Sequence, residues 1–588
     1  MFGAKKLLAS VTLAIAFAGS ALAYPTPNTV RRADGSVVKS APSIIPQIWQ
    51  EIGNAIDTDA FEFTMALSSA NMDGLTERMN QIAATNGQWL TDDELAQYAR
   101  PSDETTNVVK SYLKAQGIAD DAITASKFGD QLTVKTTVAQ TAKLFAAQFQ
   151  KFNVNGVTTA RTKSFTIPQE IAAAVSDVFP LVNFGSVRHM TAVIEDDHFN
   201  STVAERAFQE SVELLESRAT PSSCSTSAVT PQCLKDYYGR SSYSPSTGSS
   251  RPDVGVMGYI DQYVSQTDLT NFLKSYSSNA ASYKIPIVLR NGATNDQSNA
   301  GVEAMLDVET VVSQTYPLTS NFIAEGNSQT AGDIFLLTFN DLINNFDSTN
   351  RPKVISISYG SDESEFTSSQ AQSMCTAAQK LTSLGTTIVV SSGDNGVGGQ
   401  DGDTCPPFVP TYPGGCPYIL SVGATQAFSP EVMVDTSLAG FYSGAAASNI
   451  FAIPSYQSSQ VASYESAIGT MGGNYNTKGR VFPDLAAQGS KYRIIYNGRS
   501  ATVGGTSASA PLVSSFLALV NDKRTKAGSG LIGWAQPSLY KTMLNDITSG
   551  GSYGCGSSSA GFPARSGWDA SSGQGSPMFN LLSSAFGV

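Results

Sequence analysis

The 588-residue sequence has only two histidines, His189 and His198, so none lies beyond residue 198. A nucleophilic serine normally transfers its proton to a histidine imidazole. A serine in the C-terminal two thirds of the chain has no such base within that part of the sequence. If a serine there acts as a nucleophile, its base must be a carboxylate, and the enzyme is expected to work in acid.

Basic residues are also scarce. The chain has 37 Lys and Arg against 49 Asp and Glu, a net charge of −12 and a pI near 4.8, and charged residues make up only 15% of it. No basic run is available to neutralise phosphates. We therefore expect no nucleic-acid partner.

Long apolar runs are absent after the N-terminus. Residues 1–23 combine Lys5 and Lys6 with an apolar run over 7–17 and a small-residue ending at Ala23. This pattern is typical of a secretory signal peptide cleaved after Ala23. The alternative, an N-terminal anchor helix, is less favoured because the apolar core is short. The sequence predicts a secreted, extracellular product without a membrane partner.

All six cysteines lie beyond residue 223. An even number in an exported chain favours disulfides. Cys224 and Cys233 are close enough to close a small loop. The other four cysteines, Cys375, Cys405, Cys416 and Cys555, allow three pairings that the sequence does not rank.

Residues 44–180 read as a charged α+β region. The patterns predict helices over 75–84 and 106–115 and strands over 131–136 and 163–167. The following polar stretch carries a single glycosylation sequon at Asn200 and a possible helix over 203–215. Residues 196–222 are therefore interpreted as a linker open to proteolysis.

Strand-like and helix-like segments alternate after residue 223. Apolar runs at 254–260, 285–289, 354–359 and 387–391 alternate with helical patterns at 266–275, 301–316, 331–345 and 368–384. This alternation predicts an α/β domain with a doubly wound, mostly parallel sheet. Ligands of such sheets bind beyond the carboxyl ends of the strands.

Three segments of this domain carry candidate chemistry. Glu303 and Asp307 stand four residues apart, which places their Cβ atoms about 5–6 Å apart on one helix face. Asp394 follows a predicted strand in Ser391-Ser392-Gly393-Asp394, and Ser507 begins a predicted helix within a run from Gly504 to Pro511. The plainer alternatives are a solvated acidic face, a tight turn and a Gly/Ser-rich loop respectively.

In combination these motifs resemble the sedolisins, the serine-carboxyl peptidases that share the subtilisin fold but replace its histidine. Glu303-x-x-x-Asp307, Ser391-Ser392-Gly393-Asp394 and Gly504-Gly505-Thr506-Ser507-x-x-x-Pro511 occur in the family's order. The segment from Thr230 to Lys235 is similar to the mature start of fungal members. The resemblance covers nearly the whole chain after the signal.

The resemblance implies a role for each of these residues. Ser507 would attack the peptide carbonyl, and Glu303 would be the general base and then the acid toward the leaving amine. Asp307 would orient Glu303, and Asp394 would take the oxyanion position. A carboxyl group can donate to an oxyanion only when protonated. One acid must thus be ionised while others are neutral, which predicts a bell-shaped pH profile centred at roughly pH 4.

The resemblance also implies one structural Ca²⁺ ion near the C-terminus. Carboxylate and carbonyl oxygens are the ligands that Ca²⁺ prefers. Asp546 and Asp569 would supply side-chain oxygens, and Ile547, Arg565 and Gly567 would supply carbonyls. Arg565 stands where many members have glycine, which a carbonyl ligand tolerates if the backbone angles suit an L-residue.

The domain organisation follows from the same resemblance. It implies a signal at 1–23, an α+β ferredoxin-like activation propeptide at 24–195, a linker with the processing site at 196–222, and a subtilisin-like catalytic domain at 223–588. The propeptide would be an intramolecular inhibitor and folding aid of a monomeric enzyme. Cleavage is expected between His198 and Cys224, so both histidines would fall in or beside the discarded part, where they could sense pH during activation.

Peptide or protein substrates are implied, and fungal relatives favour release of tripeptides. An endopeptidase of the same family is the main alternative, and cleavage of peptides with blocked N-termini would distinguish it. Two remote alternatives are a carboxylate-pair glycosidase and a secreted calcium-binding module. The glycosidase alternative would use Glu303 and Asp307, which lie on one helix and are therefore poorly arranged to flank a glycosidic bond.

Overall fold

The structure is a computed structural model that describes residues 28–190, 193–195, 220–247, 251–400, 402 and 405–588. The predicted signal peptide, the Asn200 sequon, His198 and the predicted helix over 203–215 lie outside the described residues. Within the described part, no helix is both long and apolar enough to span a bilayer.

The N-terminal region contains ten short strands and four helices. The strands are β1 (Thr29–Arg31), β2 (Val37–Ser40), β3 (Trp49–Asn54), β4 (Ala60–Leu67), β5 (Ile123–Ala125), β6 (Gln131–Thr137), β7 (Phe149–Val154), β8 (Val157–Thr162), β9 (Ser164–Ile167) and β10 (Val175–Phe179). The helices are α1 (Met72–Thr85), α2 (Asp92–Ala99), α3 (Asp103–Ala115) and α4 (Val138–Phe145).

Four of these strands form an antiparallel sheet in the order β10-β4-β6-β5. Helices α1 to α3 connect its first and second strands in chain order, and α4 follows the third. This is the arrangement of a ferredoxin-like domain, as the sequence analysis expected. The helices begin at residues whose side chains accept from the first turn, such as Asn71 and Thr91, and Thr91 forms a capping box with Glu94.

Two short strands follow, β11 (Arg188–His189) and β12 (Val193–Glu195), and then the C-terminal region begins. Its helices are α5 (Pro231–Tyr237), α6 (Gln266–Tyr276), α7 (Val302–Thr315), α8 (Ile334–Asn344), α9 (Ser368–Ser383), α10 (Ser458–Ile468), α11 (Thr506–Lys526), α12 (Gln536–Leu539) and α13 (Phe579–Ala585). Its strands are β13 (Val254–Gly258), β14 (Ile287–Arg290), β15 (Ser320–Glu325), β16 (Val354–Ile357), β17 (Tyr359–Asp362), β18 (Thr387–Ser391), β19 (Thr411–Tyr412), β20 (Leu420–Gln426), β21 (Val432–Met433), β22 (Ala446–Ala452), β23 (Gly479–Phe482), β24 (Leu485–Gln488), β25 (Tyr492–Tyr496), β26 (Arg499–Gly504), β27 (Gly551–Gly554) and β28 (Ser557–Pro563).

The central sheet of this region has the order β14-β15-β13-β16-β18-β20-β21, with β24 also paired to β20. Every pair except β20 with β21 is parallel. The predicted doubly wound, mostly parallel α/β sheet is thus confirmed. The predicted run 354–359 differs in one respect, because it is divided at Ser358 into β16 and β17.

Helices α7 and α11 pack against each other in the core of the C-terminal region. Every residue of α7 after Val302 is buried, and α11 is buried from Thr506 to Asp522. Polar side chains on a helix with so little exposed surface are costly unless hydrogen bonds or a function compensate for their burial. The two helices therefore fix the side chains that lie between them.

Three disulfides join the described cysteines: Cys224–Cys233, Cys375–Cys416 and Cys405–Cys555. The first is the small loop predicted from the sequence. The other two select one of the three pairings that had remained open. The Cys405–Cys555 bond ties the loop after Asp394 to the β27–β28 hairpin.

The N-terminal region docks on the C-terminal region through a shared apolar core. Leu75 and Met79 of α1 belong to the same buried cluster as Met374 and Leu381 of α9. The Trp89 indole N–H donates to the carbonyl of Leu531 at 2.8 Å, across the same interface. This interface is continuous with the core and is more than a surface contact.

A buried ion pair between Asp130 and Lys380 also crosses this interface, with both side chains at most 8% exposed. Replacement of Asp130 by Asn leaves the Lys380 ammonium without a counter-charge, which typically costs about 3–5 kcal/mol. We expect a lower midpoint of urea unfolding for the N-terminal region of the intact chain, measured at neutral pH in a Ser507→Ala background that prevents self-cleavage.

The matched control is Glu62→Gln, which breaks an exposed pair with Lys135 whose side chains are 56% and 75% exposed. Its effect should stay below about 1 kcal/mol. Equal effects of the two substitutions would show that the Asp130–Lys380 pair does not hold the regions together.

Candidate active site

Ser507 is the second residue of α11, directly after β26 and a turn at Gly505. Gly505 has φ of 154°, a conformation that L side chains rarely adopt. Pro511 lacks an N–H, so it cannot donate to the Ser507 carbonyl four residues earlier. The Ser358 hydroxyl oxygen lies 3.4 Å from the Ser507 carbonyl oxygen, although its proton is directed to Asp307 at a shorter distance. The first turn of α11 therefore lacks one helical hydrogen bond, and the carbonyl of Ser507 faces groups outside the helix.

Glu303 and Asp307 project from the first two turns of α7 toward the same site. Asp307 Oδ1 accepts a hydrogen bond from the Ser358 hydroxyl at 2.9 Å, while Asp307 Oδ2 is buried without a partner. Both carboxylate oxygens of Glu303 are buried and accept no hydrogen bond of good geometry from an N–H or hydroxyl donor. The Asp307 carboxyl is close enough to form a hydrogen bond with Glu303 when one of the two acids is protonated. A buried carboxyl pair without a cationic partner is costly, so its retention indicates a functional constraint.

Asp394 lies three residues beyond the carboxyl end of β18, facing the start of α11. Its Oδ1 accepts from the Thr506 amide at 2.8 Å and from the Thr506 hydroxyl at 2.6 Å. The Thr506 hydroxyl in turn accepts from the Gly393 amide at 3.1 Å. Asp394 Oδ2 is buried and has no partner. One oxygen is thus held firmly and the other remains available to a ligand.

Burial dominates the electrostatics of the three acids. It raises the pKa of Glu303 well above its usual value, the neighbouring Asp307 raises it further, and the Ser507 hydroxyl is close enough to lower it. Burial likewise raises the pKa of Asp307. It raises the pKa of Asp394 to about 7, although the two hydrogen bonds from Thr506 act to lower that pKa. Among the described residues, no ion pair with Lys, Arg or His involves any of them. The group therefore holds protons in acid.

All four predicted residues, Ser507, Glu303, Asp307 and Asp394, are buried and meet at the carboxyl-end side of the sheet. Sequence reasoning missed Ser358 and Thr506, which bind the two aspartates. Thr506 stands next to Ser507 in the motif, so its position was visible. Ser358 follows an ordinary apolar strand and carries no comparable signal.

The cleft is occupied by the end of the N-terminal region. Strand β11 pairs antiparallel with β17, and the Ser507 hydroxyl donates to the Met190 carbonyl oxygen at 3.0 Å. In this form the serine therefore binds Met190 in place of Glu303. His189 lies beside Glu303 at a cavity of about 340 Å³, and burial lowers the pKa of His189. The proposed pH-sensing role of the histidines stays a prediction.

The residues proposed for Ca²⁺ also come together. The Gly567 amide donates to Asp546 Oδ2 at 2.8 Å, and the Arg565 amide donates to Asp569 Oδ2 at 3.0 Å. Ile547 is fully buried beside them in a small apolar cluster. Asp546 Oδ1 is buried without a partner, and burial raises the pKa of Asp569 to about 7. Both oxygens of Asp569 also accept hydrogen bonds from Ser571 and Ser572. The feature that suits a cation here is therefore the buried, unpartnered Oδ1 of Asp546.

Two further observations bear on this site. Arg565 is not among the residues with positive φ, so an L-residue fits there without strain, whereas Gly567 has φ of 83°. Within the described ranges, no group of three or more His, Cys, Asp or Glu side chains is arranged to hold a metal. A cation here would need backbone carbonyls in addition to the two carboxylates.

Comparison with known proteins gives the class of the chain. Residues 47–184 match the family described as Pro-kumamolisin, activation domain, and residues 318–568 match the subtilase family. The domain that docks over the cleft is therefore an activation domain, and the domain that carries Ser507 is of the subtilase type.

Curated relatives cover nearly the whole chain. Tripeptidyl-peptidase sed4 of Aspergillus fumigatus is 30% identical over 93% of this chain and 96% of its own length. The probable tripeptidyl-peptidase SED2 of Trichophyton verrucosum is 29% identical over 96% and 98%. A solved structure of Pseudomonas sedolisin, a serine-carboxyl proteinase, aligns with a TM-score of 0.49 at 20% identity over 61% of this chain and 98% of that one. The chain belongs to the sedolisin family of serine-carboxyl peptidases.

The buried acids predict that the fold is more stable in acid than at neutral pH. Burial raises the pKa to about 7 for Asp394 and for five further carboxyl groups, those of Glu325, Asp333, Glu363, Glu365 and Asp569. A raised pKa means that the folded chain binds protons that the unfolded chain has already lost. The resulting stability is fully present below about pH 4 and is lost as the pH rises through about 7.

We expect a Ser507→Ala precursor to melt at a higher temperature at about pH 4 than at about pH 7.5, because native carboxyls retain their protons across this interval. Calorimetry at fixed ionic strength measures the difference. Glu363→Gln, which cannot titrate, should reduce it, and the exposed Glu62→Gln should leave it unchanged. A higher melting temperature at neutral pH would contradict the assignment of these groups as protonated acids.

Proposed function

We propose that this chain is a secreted, acid-active peptidase that hydrolyses peptide bonds with Ser507 as nucleophile, Glu303 as base and Asp307 as its positioning partner. The observation that supports this most is the burial of Ser507 beside two helix carboxyls, with a backbone carbonyl from its own activation domain bound to the serine hydroxyl. That arrangement brings together a nucleophile, a carboxyl base and a peptide group. The imidazole of His189, which lies near Glu303 here, belongs to the activation domain and is not part of the catalytic domain.

In the proposed reaction, Ser507 Oγ forms a bond to the carbonyl carbon while Glu303 takes its proton. Glu303 then gives the proton to the amine as the C–N bond breaks, and water hydrolyses the acyl-enzyme with Glu303 as base again. Glu303 must be ionised at the start, so protonation of Glu303 sets the acidic limb of the pH profile.

Asp307 acts through Glu303 in this mechanism. The Ser358 hydroxyl holds Asp307 Oδ1, and the Asp307 carboxyl raises the pKa of Glu303. A higher pKa makes Glu303 a stronger base, and a proton shared by the two acids lets one remain neutral while the other is ionised. Asp307 therefore tunes the base without touching the substrate.

Asp394 is the proposed oxyanion donor. The two bonds from Thr506 fix Oδ1, which leaves Oδ2 free to carry a proton toward the developing charge. Its pKa of about 7 in the covered cleft keeps the proton in place throughout the acid range. Ionisation of Asp394 sets the alkaline limb, so activity should fade toward neutrality.

Removal of the activation domain changes these values. Burial is the first cause of every raised pKa in the group, and water that enters the opened cleft reduces that effect. Glu303 then ionises at a lower pH than in the precursor. This shift brings the proposed optimum to roughly pH 4, near the usual values of carboxyl groups.

Release of tripeptides is supported by the relatives, which are named tripeptidyl-peptidases. One observation favours the alternative, an endopeptidase. The chain that leads to Met190 continues along the cleft beyond three residues, since the Ser186 amide and hydroxyl bind the buried Glu365 carboxylate at 2.7 Å. Cleavage of an N-acetylated peptide would identify endopeptidase action, and strict need for a free amine would identify tripeptide release.

The remaining proposals concern organisation. We place the signal peptide at 1–23, the activation domain at 24–195, the linker at 196–222 and the catalytic domain at 223–588. Export is supported by the three disulfides, which form in oxidising compartments. The activation domain is the proposed intramolecular inhibitor, since its last described residues fill the cleft. A monomer remains the proposed oligomeric state.

The central test uses the precursor and its Ser507→Ala and Glu303→Gln forms. Each is shifted from neutral pH to about pH 4, and both its mass and its cleavage of peptides are followed. We expect the parent to mature and to show a bell-shaped profile, and both variants to lose at least about 10³-fold in kcat.

Glu309→Gln is the matched control, because Glu309 is a buried glutamate on the same helix that accepts from the Ile495 amide away from the serine. It should keep most of the parent's activity. If Glu303→Gln matures and cuts peptides as the parent does, Glu303 is not the base.

A bound Ca²⁺ would tie the loop at Asp546 to the loop at Arg565–Asp569. We expect that addition of Ca²⁺ to chelator-treated enzyme raises its melting temperature, because the ion binds the folded state selectively. Asp546→Asn should abolish this rise while leaving kcat at saturating substrate within a few-fold, since the site is remote from Ser507. A Ca²⁺-dependent rise in Asp546→Asn equal to that of the parent would exclude this location.

A further inference from the structure

The chain that ends the activation domain is held as an extended strand on the catalytic domain. Arg188 pairs with Gly360 and His189 pairs with Tyr359, in antiparallel register with β17. The Met190 amide then donates to the Ser358 carbonyl at 3.1 Å. Main-chain bonds of this kind hold peptides in a sheet edge regardless of side chain.

The chain is also held on the far side of Ser507. Strand β12 pairs antiparallel with β26, with Val193 opposite Gly504 and Glu195 opposite Thr502. Strand β26 leads directly into the helix that carries Ser507. The end of the activation domain is therefore paired with the catalytic domain through β11 and again through β12. The Met190 carbonyl lies between these two strands in the sequence.

That carbonyl is placed at the nucleophile. The Ser507 hydroxyl is 3.0 Å from the Met190 oxygen, and the carbonyl carbon is one C=O bond, about 1.23 Å, from that oxygen. The carbon therefore lies no more than about 4.2 Å from Oγ. This places the Met190 carbonyl next to the nucleophile, and attack requires the two atoms to approach to about 3–3.5 Å.

The Met190 side chain fills a fitted pocket and is 1% exposed. Its Cε lies 2.1 Å from where a Cβ on Gly360 would stand, so only glycine leaves room for it there. Its sulfur accepts from the Gln400 amide at 3.0 Å, and it lies 4.0 Å from where a Cβ on Gly393 would stand. The groups that contact the Met190 side chain are thus two glycines and a neutral amide, and they suit a slender, uncharged side chain that is not branched at Cβ.

We propose that the peptide bond at the Met190 carbonyl is the first bond that Ser507 cuts during maturation, and that the pocket at Gly360, Gly393 and Gln400 selects uncharged side chains that are not branched at Cβ at the residue before the scissile bond of substrates. This inference rests on the proposed function. It adds to that function the position of a processing site and the substrate class of the adjacent subsite.

The step balances as an ordinary acyl transfer. A bond forms between Ser507 Oγ and the Met190 carbonyl carbon, and the C–N bond to the next residue breaks. The serine proton passes through ionised Glu303 to the released amine. The ionised form of Glu303 is scarcer in the covered cleft than in the mature enzyme, so this first cut is expected to be slower than turnover by the mature enzyme. Water then hydrolyses the ester and leaves a carboxylate on Met190. The cleavage expected between His198 and Cys224 is then a separate cut, and the proposal places it after the cut at Met190.

The first experiment follows acid-shifted precursor by intact mass and N-terminal sequencing over the earliest minutes. The parent should yield a fragment that ends at Met190 and a partner that begins at Thr191. Met190→Ile, which is branched at Cβ, should slow this cut at least tenfold, and Met190→Leu should cut within a few-fold of the parent. Equal melting temperatures of these variants in the Ser507→Ala background show that docking is retained.

The second experiment needs no precursor variant. Mature parent enzyme is given peptides that differ only in the residue before the scissile bond. We expect kcat/KM to be at least tenfold higher for Met or Leu than for Val or Asp. Gly360→Ala should lower kcat/KM for peptides that have Met before the scissile bond, because the new methyl group takes the space of the Met Cε. It should leave kcat/KM unchanged for peptides that have Ala there.

The outcomes separate this inference from the proposed function. Suppose that maturation depends on Ser507 but yields no product that ends at Met190, and that Met190→Ile matures as fast as the parent. The proposed processing site is then wrong, while the proposed peptidase function stands. Equal rates for Met, Val and Asp peptides overturn the subsite assignment. Maturation in Ser507→Ala that matches the parent overturns both the inference and the proposed mechanism.

Discussion

The structure depends on one constraint: three carboxyl groups are buried around a buried serine, and the described residues offer them no positively charged partner. Burial disfavours the ionised form of Glu303, Asp307 and Asp394, so each holds its proton to a higher pH than a solvated acid. A site of this kind cannot operate as a set of fully ionised groups. The raised pKa values are the physical basis of the proposed acid activity and of the predicted stability of the fold in acid.

The fold enforces this constraint through two helices of the core. The acids of α7 and the serine of α11 are fixed by backbone that is buried on nearly all sides, and Asp394 is tied to the start of α11 by Thr506. The parallel sheet brings Ser358 and Asp394 to the same edge, where chain ends of β16 and β18 meet. The activation domain completes the enclosure, since it shares the apolar core of α9 and inserts Met190 at the serine.

Much of this was predictable from sequence because periodicity and motif spacing are local. The α/β alternation, the helix that carries Glu303 and Asp307 and the helix that begins at Ser507 follow from such patterns. Pairings that join distant segments did not follow, such as Cys405–Cys555, the bond from Ser358 to Asp307 and the seating of Met190. These depend on tertiary packing, and nothing adjacent in the chain records them. Element ends also shifted where capping side chains decided them, as at Asn71.

The most direct test of the proposed base is the distance between Ser507 Oγ and the Glu303 carboxylate in a crystal structure of the mature enzyme at about pH 4. With Met190 gone, the serine hydroxyl loses its present acceptor. The proposed mechanism predicts that it turns to Glu303 and lies within about 2.6–3.2 Å of a carboxylate oxygen. A Glu303 side chain that points away from Ser507, or one that remains beyond hydrogen-bond reach with the cleft open, would contradict it.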